Sequence, residues 1–172
     1  MSKILYLGPE SPLIKFLEEN GEEVTQREDE VNANDIAEFD WVVSYGYRYI
    51  LSREVVASKK KRIVNLHIAY LPWNRGASPN YWSWKESTPK GVTIHYIDEG
   101  IDTGQIIIQE RVVFSKGETL KSSYAKLQAE MQELFRKNWK WIKAGRFEGS
   151  YHKSSDMPDL KKGWDTPVGE II

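Results

Sequence analysis

The 172-residue sequence contains no cysteine. That excludes a disulfide framework, a thiolate nucleophile and any cysteine-ligated metal site. Histidine is scarce too, with three in the chain, and none falls in an H-x-x-x-H or H-E-x-x-H spacing, so no metal is expected. No apolar run approaches the ~20 residues of a bilayer span. The first residues lack the apolar core of a signal peptide, which points to a cytoplasmic protein without membrane contact. An excess of one charge is also missing: 24 basic and 25 acidic residues leave a net charge of -1. Such a balance argues against nucleic-acid binding through bulk electrostatics, and the basic run Lys59–Arg62 reads as solvated surface. Dinucleotide, Walker and Gly-x-Ser-x-Gly signatures are absent; the first turn is Gly8-Pro9-Glu10-Ser11.

What is present is a globular composition, 40% hydrophobic, with seven tryptophans and nine tyrosines. Aromatics on this scale supply core area and can line pockets for flat ligands. Strands are read at 3–7, 23–26 (near an edge), 41–45, 62–67 and 91–97, with a long or bent one over 105–114. Segment 27–40 reads as loop with one helical turn at Ile36-Ala37. Ser11-Pro12, Ser52 and Ser78-Pro79 are helix starts. Ser115 and Glu118 resemble a capping box before the longest helix, in which Leu120, Tyr124, Leu127, Met131, Leu134 and Ile142 share a face up to Gly145. Alternating strands and helices predict an α/β fold with a mostly parallel twisted sheet covered on both faces. Residues 1–145 form the core, and 146–172 a short C-terminal extension that is not a separate domain.

Ligands of such sheets sit at the carboxyl ends of the strands. Asn65 and His67 lie there, two apart on one strand and therefore on one face. Asp102 stands in a turn between Gly100 and Gly104. An amide, an imidazole and a carboxylate suit a site that handles a carbonyl: a donor for an oxyanion, a proton carrier and its partner. Taken singly these signals are weak. Asn-x-His is common, Asp-Thr-Gly is an ordinary turn, and an aspartic-protease site needs a second carboxylate.

Order and combination are more specific. Asn65-Leu66-His67, Leu71-Pro72, Arg75-Gly76, Pro79-Asn80-Tyr81-Trp82, Gly91-Val92-Thr93-Ile94-His95 and Gly100-Ile101-Asp102-Thr103-Gly104 resemble the N10-formyltetrahydrofolate-dependent formyltransferases over residues 41–115. The continuation Trp73-Asn74-Arg75 resembles the nucleotide-sugar N-formyltransferase branch in particular. The resemblance implies a Rossmann-like formyltransferase core with Asn65, His67 and Asp102 as the catalytic trio. It implies N10-formyltetrahydrofolate as co-substrate along Tyr47, Arg48, Tyr49, Ile50 and Leu51, and against Tyr96, Ile97, Asp98, Gly100 and Ile101. A nucleotide-linked amino sugar would then meet Trp73, Asn74, Arg75, Gly76, Pro79 and Asn80. His95 is assigned a structural role. About 27 residues follow the long helix, too few for the C-terminal domain of the tRNA-directed relatives, so tRNA is not expected as a partner. The Trp139/Trp141 pair is a candidate homodimer contact. A formyltetrahydrofolate hydrolase and a non-catalytic folate-binding module are the alternatives.

Overall fold

The computed structural model describes residues 1–147. Six strands, β1 (Lys3–Leu7), β2 (Glu23–Arg27), β3 (Trp41–Ser44), β4 (Ile63–His67), β5 (Gly91–Tyr96) and β6 (Ile106–Arg111), form one sheet in the order β2-β1-β3-β4-β5-β6. Helices α1 (Pro12–Glu19), α2 (Ala33–Ile36), α3 (Arg53–Ser58), α4 (Pro79–Lys85) and α5 (Leu120–Lys143) connect or cover them. The ladders β1–β2, β1–β3 and β3–β4 are parallel, whereas β4–β5 and β5–β6 are antiparallel. The α/β reading with a mostly parallel sheet therefore holds. The antiparallel part begins at the strand that carries Asn65 and His67.

Local chemistry explains most boundaries. Ser11 caps α1 by accepting from the Leu13 N–H, with Pro12 at the first helical position, where a missing N–H costs nothing. Ser52 caps α3 through the Val55 N–H. The helical turn read at Ile36-Ala37 is the end of α2, which starts at Ala33, and other details differ from the sequence reading as well. The box before α5 is formed by Thr119 and Ser122; Glu118 instead accepts from the Ser122 hydroxyl at 2.6 Å, and Ser115 takes no part in it. Ser78 sits at φ 53° in the left-handed region and makes no side-chain cap, so α4 starts from a tight bend. The last strand ends at Arg111, without the expected continuation to Phe114.

Two apolar layers flank the sheet. On one side Ile4, Tyr6, Val43, Val64, Leu66 and Ile94 pack beneath α1 and α5, which contribute Leu13, Leu17, Leu127, Met131 and Phe135. On the other Leu5, Leu7, Val42 and Ile63 meet Ile36, Val55 and Val56 from α2 and α3. Each fully buried side chain of this size contributes about 1.5–3 kcal/mol. Trp139 belongs to this core: it stacks on Phe135 at 5.2 Å and meets Trp41 edge-on at 5.7 Å. It is therefore not a surface partner of Trp141, which stands exposed beside Lys140 and Arg146. Tyr124 also departs from its expected place. It is 51% exposed, although its neighbours on the α5 stripe, Leu120 and Leu127, are buried. The extension read over 146–172 lies, from residue 148 on, outside the described residues.

Candidate active site

The site grows from the junction of β4 and β5. In their antiparallel register Asn65 pairs with His95 and His67 with Thr93. Directly paired residues share a face, so two imidazoles, a carboxamide and a hydroxyl are set side by side. The alternate residues Val64, Leu66, Ile94 and Tyr96 turn to the core under α5. Thr93 anchors the segment that follows β4: its hydroxyl donates to the Ala69 carbonyl (2.7 Å) and accepts from the Leu71 N–H (3.2 Å) and the Gln109 amide (3.1 Å). The Leu71–Pro72 peptide is cis.

Asp102 arrives from the β5–β6 loop. Asp98 braces that loop, its Oδ1 accepting from the Gly100 N–H (2.9 Å) and the Thr103 hydroxyl (2.6 Å). Gly104 lies so close to the backbone that an added Cβ would stand 1.7 Å from the Tyr96 carbonyl oxygen. Asp102 itself has φ 51°, a left-handed conformation that aspartate tolerates better than most residues. Its Oδ2 accepts from the Gly76 N–H at 2.7 Å and lies 3.6 Å from His67 Nε2. Its Oδ1 accepts from Asn65 Nδ2 at 3.2 Å and lies 3.3 Å from His95 Nε2. Burial alone would raise the carboxyl pKa. The imidazoles of His67 and His95 and the Gly76 N–H outweigh it and hold the group well below the usual carboxylate range. Asp102 is thus a carboxylate, and the trio read from the sequence converges on it.

The imidazole partners define which nitrogens carry protons. His67 Nε2 faces the Asn74 carbonyl at 3.1 Å and so donates to it. His95 Nδ1 faces the Tyr96 carbonyl at 2.8 Å and does the same. His95 Nε2 faces both Asn65 Nδ2 and Asp102 Oδ1, each at 3.3 Å. His95, read from the sequence as structural, is both buried and in contact with two members of the trio. Its register position opposite Asn65 is a tertiary fact that its place in the sequence does not announce.

A cleft of about 600 Å³ opens over this cluster. Tyr47, Arg48, Tyr49, Ile50 and Leu51 line it, as do Ile97, Asp98, Gly100 and Ile101. Tyr96, expected with them through its backbone, turns its side chain into the core, because residues alternate along β5 and His95 takes the cleft side. The segment expected to meet the acceptor divides. Gly76 and Pro79 line the cleft. Asn74 is buried, its amide donating to the Thr88 hydroxyl at 2.7 Å. Asn80 is buried too, its amide donating to the Leu120 carbonyl and the Ser123 hydroxyl, each at 3.1 Å. Arg75 reaches the Ile101 carbonyl at 3.5 Å, and Trp73 is partly exposed away from the cleft lining. Tyr45, Ile68, Ser78, Tyr124 and Gln128 line the cleft without having been read as site residues. For the last two the available signal was their four-residue spacing with Leu120, with Gln128 as a polar member among apolar ones. Among the described residues no group of three His, Asp or Glu is arranged to hold a metal.

Comparison with known proteins finds similar chains. The formyltransferase PseJ from Anoxybacillus kamchatkensis, solved with UDP-4,6-dideoxy-4-formamido-L-AltNAc and tetrahydrofolate, is 42% identical with a TM-score of 0.86, covering 99% of this chain and 97% of that one. Methionyl-tRNA formyltransferase of Fusobacterium nucleatum is 32% identical over 77% of this chain and 46% of its own length. The dTDP-4-amino-4,6-dideoxyglucose formyltransferase of Mycobacterium bovis is 32% identical over 60% of this chain and 44% of its own. The chain thus spans less than half the length of the curated relatives it matches. A sequence model of formyl transferases matches residues 7–138, a stretch that holds the whole Asn65, His67, His95 and Asp102 cluster, and the chain belongs to that family.

Proposed function

We propose that this protein transfers the formyl group of N10-formyltetrahydrofolate to the primary amine of a nucleotide-linked amino deoxysugar. The observation that carries the chemistry is the convergence of Asn65, His67 and His95 on one buried carboxylate at the wall of the cleft. The acceptor class is supported by the 42% identity to PseJ, which extends over nearly the full length of both chains.

The cleft fits a folate. One part is lined by the aromatic and apolar side chains Tyr47, Tyr49, Ile50, Leu51 and Ile97, suited to a flat heterocycle. The loop 97–101 adds backbone groups and Asp98. When bound, the folate supplies an electrophilic formyl carbon. Addition of an amine to a carbonyl places negative charge on its oxygen, and this chain holds two groups for it. His67 keeps Nε2 on the Asn74 carbonyl, leaving Nδ1 as the ring nitrogen that exchanges protons and, in the imidazolium, donates. Asp102 Oδ2, 3.6 Å from Nε2, sets a negative charge beside that ring. Asn65 has one N–H on the Asp102 carboxylate, and the other, 3.3 Å from His95 Nε2, is the one to swing onto the developing oxyanion, because a charged acceptor holds its donor more tightly. The proton released by the amine is taken up at His67 Nδ1 and passed from there to the departing nitrogen, while Asp102 stays ionised. Holding both substrates in one cleft makes the step effectively unimolecular, which can supply roughly 7–11 kcal/mol.

The test is formyl transfer followed by the absorbance of tetrahydrofolate, with UDP- and dTDP-linked 4-amino-4,6-dideoxy sugars as acceptors. Amine-dependent turnover is expected, lowered by on the order of 10²–10³ in Asn65→Ala and in His67→Ala. Turnover independent of any amine would make the protein a hydrolase. Near-wild-type transfer by either variant would remove the assigned roles.

A further inference from the structure

A second cavity, of about 410 Å³, adjoins the cleft. The two share Ile68, Ser78, Pro79 and Tyr124 as walls, and the annex continues over Asn80, Tyr81, Leu120 and Lys121. None of the residues 47–51 or 97–101 that suit the folate reaches it. Whatever occupies the annex therefore enters the reaction from the acceptor side.

Its walls define the chemistry of that occupant. Ile68, Pro79 and Leu120 give apolar surface. The Asn80 amide nitrogen, which a buried carboxamide would otherwise offer, already donates to the Leu120 carbonyl and Ser123. Ser78, Lys121 and the Tyr124 hydroxyl are the polar groups that suit a ligand. On α5 the stripe Leu120, Tyr124 and Gln128, at four-residue spacing, runs from the annex into the cleft. Tyr124 stands at the boundary and is 51% exposed, a large aromatic ring left half open where the two cavities meet. An aromatic face and an apolar floor take a ring with few hydroxyls, and a single lysine takes an anionic group as a point charge. A deoxysugar joined to a nucleoside diphosphate carries both features.

We infer that the annex is the acceptor subsite, in which Tyr124 packs against the sugar and Lys121 meets the diphosphate. This rests on the acceptor class proposed above, and its test separates the two. Tyr124→Ala and Lys121→Glu alter exposed side chains, so circular dichroism and melting matching the wild type are expected. Each is expected to raise the KM for UDP- or dTDP-linked 4-amino-4,6-dideoxy sugars roughly tenfold or more, with the KM for N10-formyltetrahydrofolate within about twofold. Tyr124→Phe, which keeps the ring, should retain most of the acceptor affinity. UDP alone, titrated calorimetrically, should bind the wild type and bind Lys121→Glu roughly tenfold more weakly. An unchanged acceptor KM, or a rise confined to the folate KM, overturns the subsite. If the wild type formylates no nucleotide sugar, the proposed function falls, and the UDP titration alone decides the annex. Weaker binding by Lys121→Glu then upholds it, and equal or absent binding overturns it.

Discussion

Replacing Asp102 with asparagine tests how the site is held together, because the substitution keeps the shape and removes the charge. Four nitrogens converge on its two oxygens: Gly76 N at 2.7 Å, Asn65 Nδ2 at 3.2 Å, His95 Nε2 at 3.3 Å and His67 Nε2 at 3.6 Å. An asparagine offers one acceptor oxygen. If it faces Gly76, its amide opposes the amide of Asn65, and leaving such donors without an acceptor costs about 1–3 kcal/mol of stability. The catalytic cost is larger. At a separation near 4 Å and an effective dielectric of about 20, a carboxylate stabilises an imidazolium by ~4 kcal/mol. That corresponds to roughly 10³ in rate if the imidazolium forms in the transition state. Asp102→Asn is therefore expected to lose about 10²–10³ in kcat, with both KM values changed only a few-fold. Steady-state formyl transfer measures the loss in kcat and urea denaturation the loss of stability. A variant that keeps more than about a tenth of wild-type kcat would show that Asp102 positions neighbours without stabilising charge. The pH dependence supplies a check with a definite sign. Burial raises the Asp102 pKa, but His67, His95 and Gly76 lower it further, so the folded state binds its proton less readily than the unfolded chain. Its stabilisation is complete above the unfolded value of about 4 and is lost as pH falls below it toward the depressed folded value. Unfolding free energy should fall over that acidic range in the wild type and more shallowly in Asp102→Asn.

Two further substitutions probe the scaffold beneath the site. Gly104→Ala drives a methyl group to 1.7 Å from the Tyr96 carbonyl oxygen. It should destabilise by about 1–3 kcal/mol and abolish most activity by displacing the Asp102 loop; unchanged melting and turnover would refute the close packing. Thr93→Val keeps the volume but leaves the buried Leu71 N–H and Ala69 carbonyl without the hydroxyl they share. A loss of about 1–3 kcal/mol in urea denaturation and faster amide exchange at Leu71 are expected, and protection equal to the wild type would contradict this account.

Much of this protein was legible in its sequence, because the signals involved are local. Period-two apolar runs, Ser-Pro and Ser caps and the glycine after the long helix depend on residues within a turn or two of each other. They located nearly every element and the mostly parallel α/β class. Asn65 and His67 were readable as a pair for the same reason: two positions apart on a strand means one face. Tertiary structure decided everything that depends on register, packing or approach from a distance. Only the antiparallel pairing of β4 and β5 sets His95 opposite Asn65 and within 3.3 Å of Asp102. Only packing buries Asn74, Asn80 and Trp139 while leaving Tyr124 half open, since periodicity marks the face of a helix but not what lies opposite it. Bringing Asp102 under the β4 end required the Gly104 backbone to fit against Tyr96, a contact between neighbouring segments that no local pattern encodes. Residue types and spacings thus determined which chemistry this chain could perform. The crossing of chain segments decided which of those residues meet.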